Sequence, residues 1–95
     1  PEALVHAQDK LVMRRRLAAL GAPVPRYLGI EEPDALGELD AFAAEIGGPL
    51  VVKAARGGYD GRGVQMARDL AHARDIAGEY LAGGVSVLVD ERVAL

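Results

Sequence analysis

Cysteine and tryptophan are absent from this 95-residue sequence, and its aromatic side chains are only three tyrosines and one phenylalanine. Without cysteine, the chain can build neither a disulfide framework nor a cysteine-ligated zinc cluster. No apolar run approaches the ~20 residues that a membrane-spanning helix needs. The first residues also lack the basic stretch followed by an apolar stretch that marks a secretory signal. Nothing therefore supports secretion or a membrane partner, and the cytosol is the expected compartment.

The abundant residues are small and apolar, and hydrophobic residues make up 51% of the sequence. This composition predicts one small globular domain, residues 1–95, with a core of small side chains. The net charge of −3 gives no reason to expect nucleic acid as a partner, so any anion site must be built locally. Because the sequence starts at Pro1 and stops at Leu95 within an apolar segment, we expect it to be a piece of a longer chain.

Hydrophobic spacing and turn residues predict helices and strands in the order α, β, α, β, β, α, β. The predicted helices are residues 7–20, 33–46 and 70–82, and the predicted strands are residues 26–30, 50–54, 64–67 and 85–89. The residues at helical spacing are Met13, Leu17 and Leu20 in the first helix, Leu36, Leu39, Ala43 and Ile46 in the second, and Leu70, Ala73, Ala77 and Leu81 in the third. The fold class is therefore α+β, with a mostly antiparallel sheet covered by helices.

Lys53 interrupts one of the apolar strands, where burying an unpaired ammonium is costly. Taken alone, it is best explained as a lysine on an edge strand whose side chain reaches water. Four glycines then occur within residues 57–63, and successive N–H groups in such a bend can form a concavity that binds phosphate oxygens. A glycine-rich loop that carries Arg62 and follows a strand lysine favours a phosphate site over a flexible hairpin tip.

This loop belongs to neither of two common phosphate-binding types. It lacks the Gly-Lys-Ser/Thr of a Walker A loop, and it lacks the third glycine of the dinucleotide fingerprint. It also joins strand to strand, so no helix N-terminus lies behind the phosphates. The pattern predicts a mobile hairpin that folds over a polyphosphate.

The string KAARGGYDGRG at residues 53–63 closely resembles the lysine and glycine-rich loop of the 5-(carboxyamino)imidazole ribonucleotide synthases, a family with the ATP-grasp fold. Upstream, QDKL at residues 8–11 and LGAP at residues 20–23 resemble the N-terminal helix of that lobe and the turn after it. Downstream, LVDERV at residues 88–93 resembles the hinge strand that receives adenine. The resemblance runs through the whole sequence and implies the ATP-binding small lobe of an ATP-grasp enzyme.

The resemblance implies a role in ATP binding for each matching residue. Lys10 would reach the phosphates, with Arg14 one turn away on the same helix face, and Lys53 would contact the α- and β-phosphates. The loop whose amides cover the β- and γ-phosphates would consist of Gly58, Tyr59, Asp60, Gly61, Arg62, Gly63 and Val64. The hinge would consist of Asp90, Glu91, Arg92 and Val93, where the Glu91 carbonyl and the Val93 amide pair with adenine and Asp90 touches its amino group. Val64 and Asp90 depart from the family's usual glutamine and glutamate.

The implied parent enzyme is an ATP-dependent ligase of purine biosynthesis. It would use ATP and Mg²⁺ to convert bicarbonate to carboxyphosphate, which then carboxylates 5-aminoimidazole ribonucleotide. The family's metal-binding carboxylates and ribose-binding glutamate would lie beyond Leu95, and part of the site for the imidazole ribonucleotide would precede Pro1. We therefore expect no catalytic or metal-binding residue in this chain and no activity from it alone. The resemblance is compatible with a parent enzyme that forms a homodimer.

Two alternatives remain open from the residues. One is another ATP-grasp carboxylate–amine ligase, against which Tyr59 and Asp60 argue. The other is a non-catalytic domain whose basic loop binds anions or a partner chain, and which would show no preference for adenine.

The remaining polar residues are expected to have structural roles. His6 and His72 lack a second metal ligand at helical spacing, Arg15 and Arg16 should be solvated, and Tyr80 should pack its ring at the edge of the core. The acidic residues expected on a solvated surface are Glu31, Glu32, Asp34, Glu38 and Asp40.

Overall fold

The structure is a computed structural model that describes residues 9–56 and 63–92. Its elements in chain order are α1 (Lys10–Ala19), β1 (Tyr27–Ile30), a 3₁₀ helix (Pro33–Gly37), α2 (Glu38–Ile46), β2 (Leu50–Ala54), β3 (Val64–Ala67), α3 (Leu70–Ala82) and β4 (Val87–Glu91). The predicted order of helices and strands is confirmed. The predictions for His6, for residues 57–62 and for Val93 lie outside the described residues.

In the described part of the chain, the strands form one sheet in the order β1-β4-β2-β3. All three pairings are antiparallel, and β2 and β3 form the predicted hairpin. The fold class is therefore α+β, as the sequence indicates. The interpretation of Lys53 as an edge-strand lysine is wrong, because β2 has β4 on one side and β3 on the other.

One face of the sheet carries the main hydrophobic core. Helices α2 and α3 pack on this face, with Leu39 and Phe42 buried from α2. The inward residues of α3 are those that its spacing predicts, together with Ile76. Helix α2 ends at Gly47, whose φ of 69° is left-handed, a conformation that glycine adopts without steric cost.

Helix α1 lies on the opposite face of the sheet, and its predicted apolar face is wrong. Met13, Leu17 and Leu20 are 44%, 44% and 76% exposed, whereas Leu11 is the buried residue of this helix. The helix can approach β1 closely because position 29 is glycine. A Cβ atom at Gly29 would lie 2.7 Å from Leu11 Cδ1 and 2.9 Å from Arg15 Nη2, so a larger residue would force these two side chains of α1 to move.

Strand β4 begins and ends two residues later than its hydrophobic run predicts. The run covers residues 85–89, but the strand covers Val87–Glu91. Asp90 pairs with Tyr27 of β1 and Glu91 pairs with Leu50 of β2. Two polar residues therefore belong to the strand because neighbouring strands supply their backbone partners.

Asp9 caps the N-terminus of α1 and explains why the helix begins at Lys10. Its carboxylate accepts hydrogen bonds from the amides of Leu11 at 2.9 Å and Val12 at 3.0 Å, and from Arg56 Nε at 3.3 Å. Burial by itself would raise the pKa of Asp9. The hydrogen bonds from Val12, Arg56 and Leu11 outweigh burial and hold that pKa below its ordinary value.

Replacing Asp9 by Ala should lower the free energy of unfolding by about 1 kcal/mol at neutral pH, because the cap is lost. Asp9→Asn keeps a capping oxygen and should lose less. Since the folded pKa lies below the unfolded one, the charge of Asp9 stabilises the fold above the unfolded pKa. This contribution disappears as the pH falls through the folded pKa. Urea unfolding of the wild type and of Asp9→Asn at several pH values measures it. The difference in free energy of unfolding between the two proteins should shrink as the pH falls below 4, near the ordinary pKa of 3.8. A difference that stays constant there would contradict the predicted contribution of the Asp9 charge.

Candidate functional site

The face of the sheet opposite the main core carries the candidate site, and we call it the open face. Strand register assigns its residues, because directly paired residues in antiparallel strands point to the same side. These residues are Tyr27, Gly29, Val51, Lys53, Val64, Met66, Leu88 and Asp90. Helix α1 covers the half formed by β1 and β4, where Leu11 packs against Leu88 and Tyr27. On the half formed by β2 and β3, Val64 and Met66 are 46% and 49% exposed.

Asp90 is the electrostatic centre of the open face, and it is only 3% exposed. Arg14 of α1 binds it with both guanidinium nitrogens, Nη1 to Oδ1 and Nη2 to Oδ2, the second at 3.1 Å. Lys53 of β2 pairs with the same carboxylate, with 2.8 Å between Nζ and Oδ2. The Arg14 guanidinium also lies 5.5 Å from the centre of the Tyr27 ring. One buried carboxylate thus joins α1, β2 and β4 and keeps two cations on the same face.

Lys10 lies where the glycine-rich segment begins and ends. Its Nζ donates to the Ala54 carbonyl at 3.3 Å, and its backbone amide donates to the Ala55 carbonyl at 2.8 Å. The Ala54 amide donates to the Gly63 carbonyl at 2.7 Å, which closes the neck of the hairpin. Lys10, Lys53 and both ends of the glycine-rich segment are therefore at the same end of the sheet.

A pocket of about 260 Å³ lies between α1 and the sheet. It is lined by Lys10, Met13, Arg14, Leu17, Lys53 and Leu88. A larger pocket of about 400 Å³ borders the turns at Gly47 and Arg68. The smaller pocket is the better candidate, because three cationic residues meet apolar surface there, as a polyanion with an aromatic base requires.

Of the predicted hinge residues, Asp90 and Glu91 end β4 and Arg92 follows it, and the backbone here bonds to the chain next to β1 and β2. The Glu91 carboxylate accepts from the Arg26 amide at 2.8 Å, and the Glu91 amide donates to the Arg26 carbonyl at 3.0 Å. The Arg92 amide donates to the Pro49 carbonyl at 3.1 Å. These bonds fix the backbone of the hinge as far as Arg92. That the hinge and the loop bind a nucleotide stays a prediction.

The other polar residues have local structural roles. His72 lies at the start of α3, where its amide donates to the Asp69 carboxylate and its Nδ1 accepts from the Arg68 amide. Arg15 pairs with Glu31 at 3.0 Å in an exposed ion pair. Tyr80 packs against the core edge as predicted. The predicted acidic surface residues are all exposed.

The described residues lack two features. In residues 9–56 and 63–92, no group of three or more histidine, aspartate or glutamate side chains is arranged to hold a metal ion. Within the same ranges, no helix is both long enough and apolar enough to cross a membrane.

The structure brings Lys10, Arg14 and Lys53 to one pocket, and their contacts with phosphate stay predictions. The sequence did not show how these side chains are held. It assigned Asp90 to the hinge, whereas the side chain of Asp90 is engaged by Arg14 and Lys53. It also missed Met13 and Leu17 as pocket residues. Strand alternation offered one signal for the pairing of Asp90 with Arg14 and Lys53. Asp90 lies two residues after Leu88, so both side chains lie on the open face of β4.

The described architecture is an antiparallel sheet with one face covered by α2 and α3 and the other covered only in part by α1. The ATP-grasp domain family matches residues 15–95, and the chain belongs to this family. The N5-carboxyaminoimidazole ribonucleotide synthase of Mycobacterium tuberculosis (strain ATCC 25618 / H37Rv) is 70% identical over 95 residues, which are 100% of this chain and 21% of that protein. The chain thus spans about a fifth of the length of the curated relatives it matches.

Two solved structures have the same fold. The crystal structure of D-cycloserine synthetase superimposes with a TM-score of 0.75 and 30% identity, covering 98% of this chain and 33% of that one. The ADP complex of N5-carboxyaminoimidazole ribonucleotide synthetase superimposes with a TM-score of 0.67 and 26% identity, covering 96% and 23%. The resemblance drawn from the loop and hinge motifs is confirmed.

Replacing Arg14 by Met should lower the free energy of unfolding by about 1–3 kcal/mol, because the buried Asp90 would keep only Lys53 as a partner. The control is Arg15→Met, which removes an exposed ion pair from the same helix and should cost less than about 1 kcal/mol. Urea unfolding followed by circular dichroism compares the two. Equal losses would show that the Arg14–Asp90 pair is no stronger than a surface ion pair.

Proposed function

We propose that these 95 residues are the ATP-binding lobe of a longer ligase. This ligase uses ATP and bicarbonate to carboxylate 5-aminoimidazole ribonucleotide. The observation that carries the proposal is the meeting of Lys10, Arg14 and Lys53 beside the neck of the glycine-rich hairpin. The 70% identity to the M. tuberculosis synthase supports the choice of reaction among ATP-grasp ligases.

The phosphates would lie at the end of the open face near Lys10 and Lys53. Arg14 and Lys53 share one carboxylate, so the group of three cations and Asp90 keeps an excess positive charge for a polyphosphate. The pocket walls exclude part of the solvent, which strengthens attraction between this charge and phosphate oxygens. The Gly63 carbonyl closes the hairpin neck, which supports the proposal that the loop of residues 58–64 would cover the same phosphates.

The adenine would lie further along the open face, toward the predicted hinge. Val64 and Met66 offer exposed apolar surface on the half of the sheet that α1 leaves uncovered. A flat base packs well on such a surface, and backbone groups of Glu91 to Val93 are the proposed partners of its polar edge. Asp90 remains part of this proposed hinge by position.

The proposed reaction has two steps. A bicarbonate oxygen attacks the γ-phosphorus of ATP, the bond to ADP breaks, and carboxyphosphate forms. The amino nitrogen of 5-aminoimidazole ribonucleotide then attacks the carboxyl carbon, phosphate leaves, and the nitrogen loses a proton. Phosphoryl transfer depends mainly on alignment and charge stabilisation, and Lys10 and Lys53 would supply both on the ATP side.

Mg²⁺ would be required by the proposed reaction, and we place its carboxylate ligands outside these 95 residues. This segment contributes cations and backbone amides to the nucleotide instead. The site for the imidazole ribonucleotide is likewise proposed to lie on other parts of the full-length protein, which would work in the cytosol.

The reaction is tested in the full-length protein that contains this segment. Purified enzyme with Mg-ATP should release phosphate fastest when both bicarbonate and 5-aminoimidazole ribonucleotide are present, and labelled bicarbonate should enter an acid-labile product only when the ribonucleotide is present. Phosphate release that instead requires D-alanine or another amine would indicate a different ATP-grasp ligase.

Lys53→Met should lower kcat/KM for ATP by about 10- to 100-fold, because a charge-assisted contact to phosphate is worth about 1.5–3 kcal/mol. The matched control is Arg16→Met, which removes an exposed cation from α1 and should leave kcat/KM unchanged. Steady-state kinetics with saturating bicarbonate and ribonucleotide measure both. An unchanged value for Lys53→Met would remove Lys53 from the proposed site.

The alternative function, a domain that binds anions without reading adenine, makes a different prediction. Mg-ATP should shift the amide signals of residues 57–63 and of Glu91 and Arg92 in NMR spectra, whereas inorganic triphosphate should shift only the loop, because it has no base to reach the hinge. Identical shifts with both ligands would favour the anion-binding alternative.

A further inference from the structure

We propose that Asp90 is a positioning residue for Lys53. Its carboxylate holds the Lys53 ammonium in place for the nucleotide phosphates and stays paired with it when the nucleotide is bound. This inference rests on the proposed function, because it requires Lys53 to contact ATP. It concerns the side chain of Asp90, whose carboxylate is turned to Arg14 and Lys53.

The burial of Asp90 argues against direct contact between its carboxylate and a ligand. The residue is 3% exposed, and Arg14 engages both of its oxygens. The side chain of Lys53, in contrast, is 26% exposed, and it lines the pocket between α1 and the sheet. A ligand therefore reaches Lys53 more easily than it reaches Asp90.

The ammonium of Lys53 can serve both partners at once. It has three N–H donors, and the pair with Asp90 Oδ2 at 2.8 Å occupies one of them. The donors that remain can reach a phosphate oxygen in the pocket.

Asp90 is a fixed anchor because Arg14 immobilises it. The two-pronged contact with Arg14 defines the orientation of the carboxylate, and the side chain of Arg14 is only 13% exposed. Asp90 itself belongs to β4, which is paired on both sides. A lysine has a flexible four-carbon stem, so holding its end before binding reduces the ordering that the nucleotide must impose.

The proposal is tested in the full-length protein by a double-mutant cycle between Asp90 and Lys53. The measured quantity is the Kd of the Mg²⁺ complex of AMP-PNP, a non-hydrolysable ATP analogue, by isothermal titration calorimetry. Asp90→Asn should raise Kd about tenfold, since hydrogen bonds to charged groups contribute this much. Asp90→Asn should have no further effect in the Lys53→Met background, because Asp90 acts through Lys53.

Two further variants separate positioning from general loss of structure. Asp90→Glu keeps the negative charge, and its Kd should lie within about threefold of the wild-type value. Glu31→Gln is the matched control, because it removes the carboxylate of an exposed ion pair with Arg15, and it should leave Kd unchanged. A purely structural role for Asp90 would instead weaken binding equally with and without Lys53.

The possible outcomes separate this inference from the proposed function. If the wild type fails to bind Mg-AMP-PNP, the proposed function fails and this inference fails with it. If Lys53→Met binds Mg-AMP-PNP normally, Lys53 does not belong to the site and this inference fails, while the proposed function stands. If Lys53→Met weakens binding but Asp90→Asn binds normally, more tightly, or with an additive loss, only the positioning role is overturned.

A second measurement needs no variant and applies even if Asp90→Asn does not fold. A crystal structure of the full-length wild type with Mg-AMP-PNP should show Lys53 Nζ within hydrogen-bonding distance of both Asp90 Oδ2 and a phosphate oxygen. A Lys53 ammonium that has left Asp90 to bind phosphate would overturn the proposal.

Discussion

The buried carboxylate of Asp90 is the interaction on which the open face depends. A buried charge is tolerated only when it is paired and hydrogen-bonded, and Asp90 meets this condition by taking Arg14 from α1 and Lys53 from β2. The pairing fastens the helix to the sheet and at the same time concentrates cations beside the hairpin neck. A stabilising contact and a candidate ligand site therefore share the same atoms, and a substitution at any of the three residues affects both.

The two faces of the sheet differ in how completely helices cover them. Helices α2 and α3 cover one face and bury the main hydrophobic core, which supplies most of the burial that stabilises the fold. The other face is covered only in part, by α1, with Gly29 allowing its close approach. Val64 and Met66 remain exposed on the uncovered half. This exposed surface costs some stability and leaves room for a ligand, in line with the ATP-grasp family to which the chain belongs.

Local signals were sufficient to predict most of the fold. Hydrophobic spacing predicted the three helices, and residues 50–54 and 64–67 were predicted as the strands of a hairpin. The errors arose where a distant partner decides the outcome. The spacing of Met13, Leu17 and Leu20 describes a helix but does not say which side meets the sheet, and the buried residue of α1 is Leu11. Likewise, β4 continues through Asp90 and Glu91 because β1 and β2 provide hydrogen-bonding partners.

The sequence by itself determined the elements, their order, the α+β class and the family resemblance. These depend on residues close together in the chain, such as the glycines of the loop, the lysine before it and the caps of the helices. Only the tertiary structure decided that β2 is an internal strand, which side of α1 is buried, and that Asp90 binds Arg14 and Lys53. The two ion pairs of Asp90, for example, join residues that are 37 and 76 positions apart. Strand alternation shows which side of β4 Asp90 shares with Leu88, but local propensities do not identify its partners, because the free energy that selects them arises when the strands and α1 assemble.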